Sequence, residues 1–136
     1  MREGEGRSVL DRLLREVLVG FPQIRQAILF GSLASGYART DSDLDIAVEA
    51  DHLLTVKEKI DLVNALSVQT GRPIDLVDLR AISVLLRGQV LRHGRKIMGS
   101  NTLYGELISR HVFDQADFMP IRTRLLAERR KAWIGK

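Results

Sequence analysis

Apolar positions recur along this chain first at helical spacing, then in short runs, then at helical spacing again. Val9, Leu10, Leu13, Leu14, Val17 and Leu18 fall at helical intervals after Ser8 and stop at Gly20-Phe21-Pro22, which predicts a capped helix from about Ser8 to Val19. The run Ala27-Ile28-Leu29-Phe30 ends in Gly31 and suits a buried strand. A loop carrying Gly36 then closes in the cluster Asp41-Ser42-Asp43. Asp43 to Glu49 predicts a second strand, with Leu44, Ile46 and Val48 on one face and Asp43, Asp45 and Ala47 on the other. A helix over Leu53 to Thr70 follows, with Val56, Ile60, Val63 and Leu66 as its expected seam and Gly71 as its stop.

Pro73 opens a third strand over Ile74 to Leu79, and Ile82 to Arg92 reads as a helix closed by His93-Gly94. Lys96-Ile97-Met98 suits a short edge strand. From Thr102 to about Trp133 the pattern is mostly helical, led by Leu103, Leu107, Ile108 and Val112, with a break expected near Pro120. Helices and strands intermixed over so few residues indicate an α/β or α+β fold, a small mixed sheet flanked by helices.

Two acids interrupt this apolar logic. Asp43 and Asp45 stand at i and i+2 of a strand, so their side chains point the same way, roughly 6.5 to 7 Å apart. Carboxylates so placed repel one another and resist desolvation unless a cation lies between them. A hard divalent ion meets that need, because Mg²⁺ is typically held by one or two carboxylates together with substrate phosphates. Upstream, Gly31-Ser32 ends a strand where the short turn Leu33-Ala34-Ser35 begins, and free backbone N–H groups beside a serine hydroxyl suit a phosphate. A third acid, Asp75, lies in the next strand, where parallel or antiparallel pairing can bring it opposite the face of Asp43 and Asp45. Asp78 is offset from Asp75 by an odd number, faces the other way and reads as structural.

Composition narrows the class. At 136 residues, with 45% hydrophobic and 28% charged, the chain is expected to form one globular domain, too short to close a two-domain cleft by itself. It has no cysteine, which excludes disulfides and thiolate metal sites. It also has no run long enough to span a membrane and no signal-like N-terminus, which leads us to expect a cytoplasmic location. The basic character is concentrated in the tail. Residues 122–136 carry six cationic side chains against Glu128, more than the whole net charge of +4. Such a tail suits nucleic acid, an acidic partner or plain solvation, and only Trp133 offers a base a stacking surface. The histidines His52, His93 and His111 have no common spacing and read as surface or capping residues.

Gly31-Ser32, ten intervening residues and then Asp43-Leu44-Asp45, with Asp75 as a third acid, resembles the signature of the polymerase-β-like nucleotidyltransferases. Within that superfamily the chain is most similar to the minimal nucleotidyltransferases, the MNT proteins, over roughly residues 8–98, with a looser likeness to their C-terminal helical extension over about 102–133. Gly36 and Ser42 fit the motif interior. The resemblance implies that Gly31, Ser32 and Ser42 bind nucleotide and that Asp43, Asp45 and Asp75 are catalytic and hold a two-ion Mg²⁺ site with ATP as substrate. It further implies an antitoxin that transfers AMP to a tyrosine of a HEPN-type ribonuclease toxin; separately, the tail read as an amphipathic helix with Ile121, Leu125 and Leu126 suits docking of a partner or of a second copy of the chain, a homo-oligomer. Two other functions fit the same residues: an antitoxin acting by binding alone, and a nucleotidyltransferase acting on RNA or on a small molecule such as an aminoglycoside.

Overall fold

The structure, a computed structural model, describes residues 3–31 and 43–115, with side chains from Val9 onward. Strands β1 (Ile24–Phe30), β2 (Leu44–Ala50), β3 (Ile74–Asp78) and β4 (Arg95–Met98) form one sheet in the order β3-β2-β1-β4. β1 runs antiparallel to both β2 and β4, whereas β2 and β3 are parallel. The helices are α1 (Glu3–Val19), α2 (Val56–Thr70), α3 (Val84–His93) and α4 (101–115). The parallel pair is possible because α2 carries the chain back between β2 and β3.

The alternation expected in β2 is the alternation observed. Leu44, Ile46 and Val48 join Ala27 and Leu29 in a core closed by Leu14 and Leu18 of α1 and Leu62 and Leu66 of α2. Each such side chain, fully buried, contributes roughly 1.5–3 kcal/mol. The opposite face holds a smaller core of Ile28, Ala47, Leu79, Val90 and Leu107. That second face also carries Asp45.

The seam of α2 differs from expectation. Val56 and Ile60 are 72% and 54% exposed, Val63 is half-buried, and Leu62 and Leu66 point inward. The reason is how the helix start is anchored. The backbone N–H of Leu54 donates to the Asp78 carboxylate at 2.9 Å, and Gln23 Nε2 donates to Glu58 at 3.1 Å. Thr55 and Glu58 form a reciprocal capping box, which starts the helix later than Leu53. Gly71 ends it at φ +69°, in the left-handed region where a glycine is favoured.

Glu58 also receives His52 Nε2 at 2.9 Å, so one carboxylate serves cap, strand and imidazole. The Thr55 N–H, then His52, hold the Glu58 pKa down to about 2. The His52 pKa is raised by Glu58 and then Asp51. A depressed carboxyl pKa stabilises the fold above about 4.5, and the effect is lost as pH falls toward about 2. The imidazole's contribution is complete below its ordinary value and lost as pH rises past the raised one. Glu58→Gln is therefore expected to melt with a shallower acid-side decline than the unsubstituted chain, as thermal scans across that window will show.

α3 and α4 begin on serine caps, with Ser83 accepting from Leu86 N–H at 3.2 Å and Ser100 from Leu103 N–H at 3.1 Å. In α4, Leu107 is buried as expected, but Ile108 and Val112 are 41% and 56% exposed. His111 turns inward instead, correcting its reading as a surface residue, because Arg87 Nε donates to its Nδ1 at 3.2 Å from α3. Burial, then the Arg87 charge, pushes its pKa down, favouring the neutral imidazole that can accept this bond.

Candidate active site

The parallel register pairs Asp45 of β2 with Asp75 of β3. Cross-strand partners project to the same face, so two carboxylates meet at the N-terminal end of the parallel pair. Two carboxylates so close disfavour ionisation of the more buried one. Burial first, then the bond to Asp75 and the charges of Asp75 and Asp43, raises the Asp45 pKa. Asp43, exposed just before β2, adds its charge without a place in the pair. Asp78 lies on the other face, 6% exposed, and accepts from the N–H groups of Leu54 and Arg80, each at 2.9 Å.

Gly31 closes the site from β1, whose preceding residue Phe30 pairs with Asp45. Its φ is +75°, and a Cβ there would collide with the Asp45 carboxylate, lying 3.0 Å from Cγ. Glycine is thus required twice, for the backbone conformation and for the space. Ser32 and Ser42, like Gly36 and the Leu33–Ser35 turn, lie outside the described residues, as does the basic tail.

The same strand face meets opposite electrostatics four residues further on. Glu49 is 3% exposed, and it accepts from Gln26 Nε2 at 3.0 Å and from Arg110 Nη2 at 2.6 Å. Burial alone would raise its pKa, but Arg110 and Gln26, helped by the Arg80 charge, outweigh burial and hold it low. Glu49 and its α4 partner escaped the sequence reading, although the alternation through Asp43, Asp45 and Ala47 places Glu49 in the same row. Glu49→Ala would strand a buried amide and release Arg110 from the sheet. The expected cost is about 2–3 kcal/mol in urea unfolding, discounted because Arg110 is partly solvated.

The two ends of this strand face differ in the charges that act on their acids. Glu49 has guanidinium partners that hold its pKa low, whereas burial and the neighbouring acids Asp75 and Asp43 raise that of Asp45. Among the described residues no three acidic or imidazole side chains close a metal cage by themselves. An open pair with a third acid nearby still fits Mg²⁺, which keeps water or phosphate oxygens in most of its coordination positions. No helix among the described residues is long and apolar enough to cross a membrane.

Residues 13–103, from within α1 to the start of α4, match the family described as Polymerase beta, Nucleotidyltransferase. The chain belongs to this family. Among relatives of this nucleotidyltransferase, it is 35% identical over 89 residues to the protein adenylyltransferase MntA of Shewanella oneidensis. The aligned stretch covers 65% of this chain and 62% of that protein's length. A chain in the crystal structure of a toxin–antitoxin with AMP-PNP superposes with a TM-score of 0.62 at 29% identity, covering 93% of this chain and 99% of the other. A chain from the complex of a tri-AMPylated Shewanella oneidensis HEPN toxin with its MNT antitoxin gives a TM-score of 0.60 at 26% identity, covering 92% and 99%.

Proposed function

We propose that this nucleotidyltransferase is an antitoxin that transfers AMP from ATP to a tyrosine hydroxyl of a HEPN-type toxin and so neutralises it. The observation carrying this reading is the in-register Asp45–Asp75 pair beside the Gly31 peptide, a carboxylate site built next to a backbone edge. The adenylyltransferase relative and the toxin–antitoxin complexes support the acceptor class.

In this mechanism Asp43, Asp45 and Asp75 would hold Mg²⁺, which when bound supplies charge neutralisation for the triphosphate. Gly31, Ser32 and Ser42 orient the nucleotide's phosphates. A tyrosine hydroxyl has an ordinary pKa of about 10, so its proton needs an acceptor, a role this reading gives to Asp75. The phenolic oxygen forms a bond to the α-phosphorus, the bond to the bridging oxygen breaks, and pyrophosphate leaves with that electron pair. Alignment is the protein's main contribution.

Purified chain, a HEPN-type protein, Mg²⁺ and labelled ATP test the reading. Asp75→Ala is expected to lower transfer on the order of 10²-fold or more with little change in melting temperature. Asp78→Ala is expected to do the reverse: transfer chemistry persists while stability falls by about 2 kcal/mol, because two backbone N–H groups lose their acceptor. Transfer that survives Asp75→Ala would remove it from the mechanism. Neutralisation by an Asp43→Ala, Asp45→Ala double variant would instead establish an antitoxin that acts by binding.

A further inference from the structure

A toxin that carries three AMP groups while still bound to its antitoxin sets a spatial problem. One Asp45–Asp75 end can add one group at a time, so groups already attached must lie elsewhere. We propose that the cavity between α4 and the Glu49 end of β2 holds an adenylate already carried by the acceptor. This rests on the transferase reading above and deepens it by assigning a product-side subsite.

The cavity is an open depression of about 730 Å³, a size that admits a nucleotide, and Arg25, Glu49, Arg80, Arg110 and Phe113 are among the residues lining it. Its three guanidiniums stand against the carboxylates of Glu49 and Glu106, leaving one positive charge to meet the single negative charge of a phosphodiester. Two of the guanidiniums are held in place before any ligand arrives. Arg110 Nη2 is bonded to Glu49 at 2.6 Å and Arg80 Nε to the Ala50 carbonyl at 2.7 Å. Each fork keeps further N–H groups for a phosphate oxygen, and planar guanidiniums suit such oxygens better than ammonium groups do. Phe113 is 72% exposed on the wall of the same cavity, offering a ring on which adenine can stack.

Location completes the case. Glu49 projects from the same face of β2 as Asp45, four residues along, which is about 13 Å at the rise of a strand. Ala47 between them lies under the Val90 and Leu107 core, so an acceptor hydroxyl sits at the aspartate end while an earlier adenylate, reaching around that core, occupies the arginine end. Each later transfer keeps the same chemistry: a hydroxyl oxygen bonds to the α-phosphorus, its proton passes to Asp75, and pyrophosphate departs.

Intact-mass spectrometry of the acceptor, sampled over time with the full chain, Mg²⁺ and ATP, separates the products with one, two and three AMP groups. Arg25→Ala with Phe113→Ala alters two exposed side chains, so the variant should fold, and far-ultraviolet circular dichroism checks this. The first transfer is expected to stay within about twofold of the unsubstituted rate, while the second slows about tenfold or more. Unchanged second and third transfers, or equal slowing of every transfer, would overturn the subsite. So would an unsubstituted chain that stops at one AMP. Absence of any transfer by the unsubstituted chain would instead defeat the transferase reading, and the subsite with it.

Discussion

Asp45→Asn is expected to lower AMP transfer at least about 10²-fold and, in the same protein without metal, to raise the melting temperature. The first effect follows from removing a metal-holding charge, since stabilising transferred charge is worth several kcal/mol and each 1.36 kcal/mol is tenfold in rate. The second follows from the position of Asp45 among acids. Burial and its acidic neighbours raise its pKa, so ionised Asp45 opposes folding at neutral pH. Asparagine keeps the shape, removes one of the neighbouring negative charges and has an amide N–H that can donate to a carboxylate. Thermal melts in EDTA read the stability change, and labelled-ATP transfer reads the activity. Full activity with a raised melting temperature would leave the electrostatics intact but remove Asp45 from the chemistry. A trade of stability for function is common where active sites gather like charges.

Gly31→Ala is the second large effect, through geometry rather than charge. The added methyl group must occupy space held by the Asp45 carboxylate, and the backbone sits at φ +75°. The left-handed conformation costs a non-glycine residue roughly 1–2 kcal/mol, and relieving the collision requires Asp45 to turn away from Asp75. A misplacement of about 1 Å can cost 10²-fold in rate, so transfer is expected to fall by that order. Urea unfolding should show a loss of about 1–2 kcal/mol. A variant that retains normal turnover would mean that the strand end moves without cost, and that Asp45 does not depend on this clearance.

The strands were readable because their signals are local. Leu44, Ile46 and Val48 alternate with acids, and that alternation alone sorts them onto two faces, as the cores show. That Asp75 rather than Asp78 faces the side of Asp43 and Asp45 follows from the same parity, and in the register Asp75 lies beside Asp45. The helices were harder. Val56, Ile60 and Val63 are spaced like a buried seam, but α2's rotation is set by Gln23, Asp78 and the capping box, contacts reaching distant strands. His111 was misread for a related reason: its inward turn depends on Arg87 in another helix. Glu49 sat in a row that the alternation already defined, yet its guanidinium partner comes from α4 and leaves no mark at that position in the chain.

The β2–β3 register also has a consequence for what counts as a site mutation. Asp45 meets Asp75 only because Leu44 aligns with Ile74 and Ile46 with Leu76, and a slip of one residue would turn acids inward and leucines outward. The apolar side chains of these strands therefore act as the ruler by which two distant acids are measured together. Substitutions at Ile46 or Leu76, which touch no phosphate, fall among those able to disturb the chemistry while leaving the rest of the sheet in place.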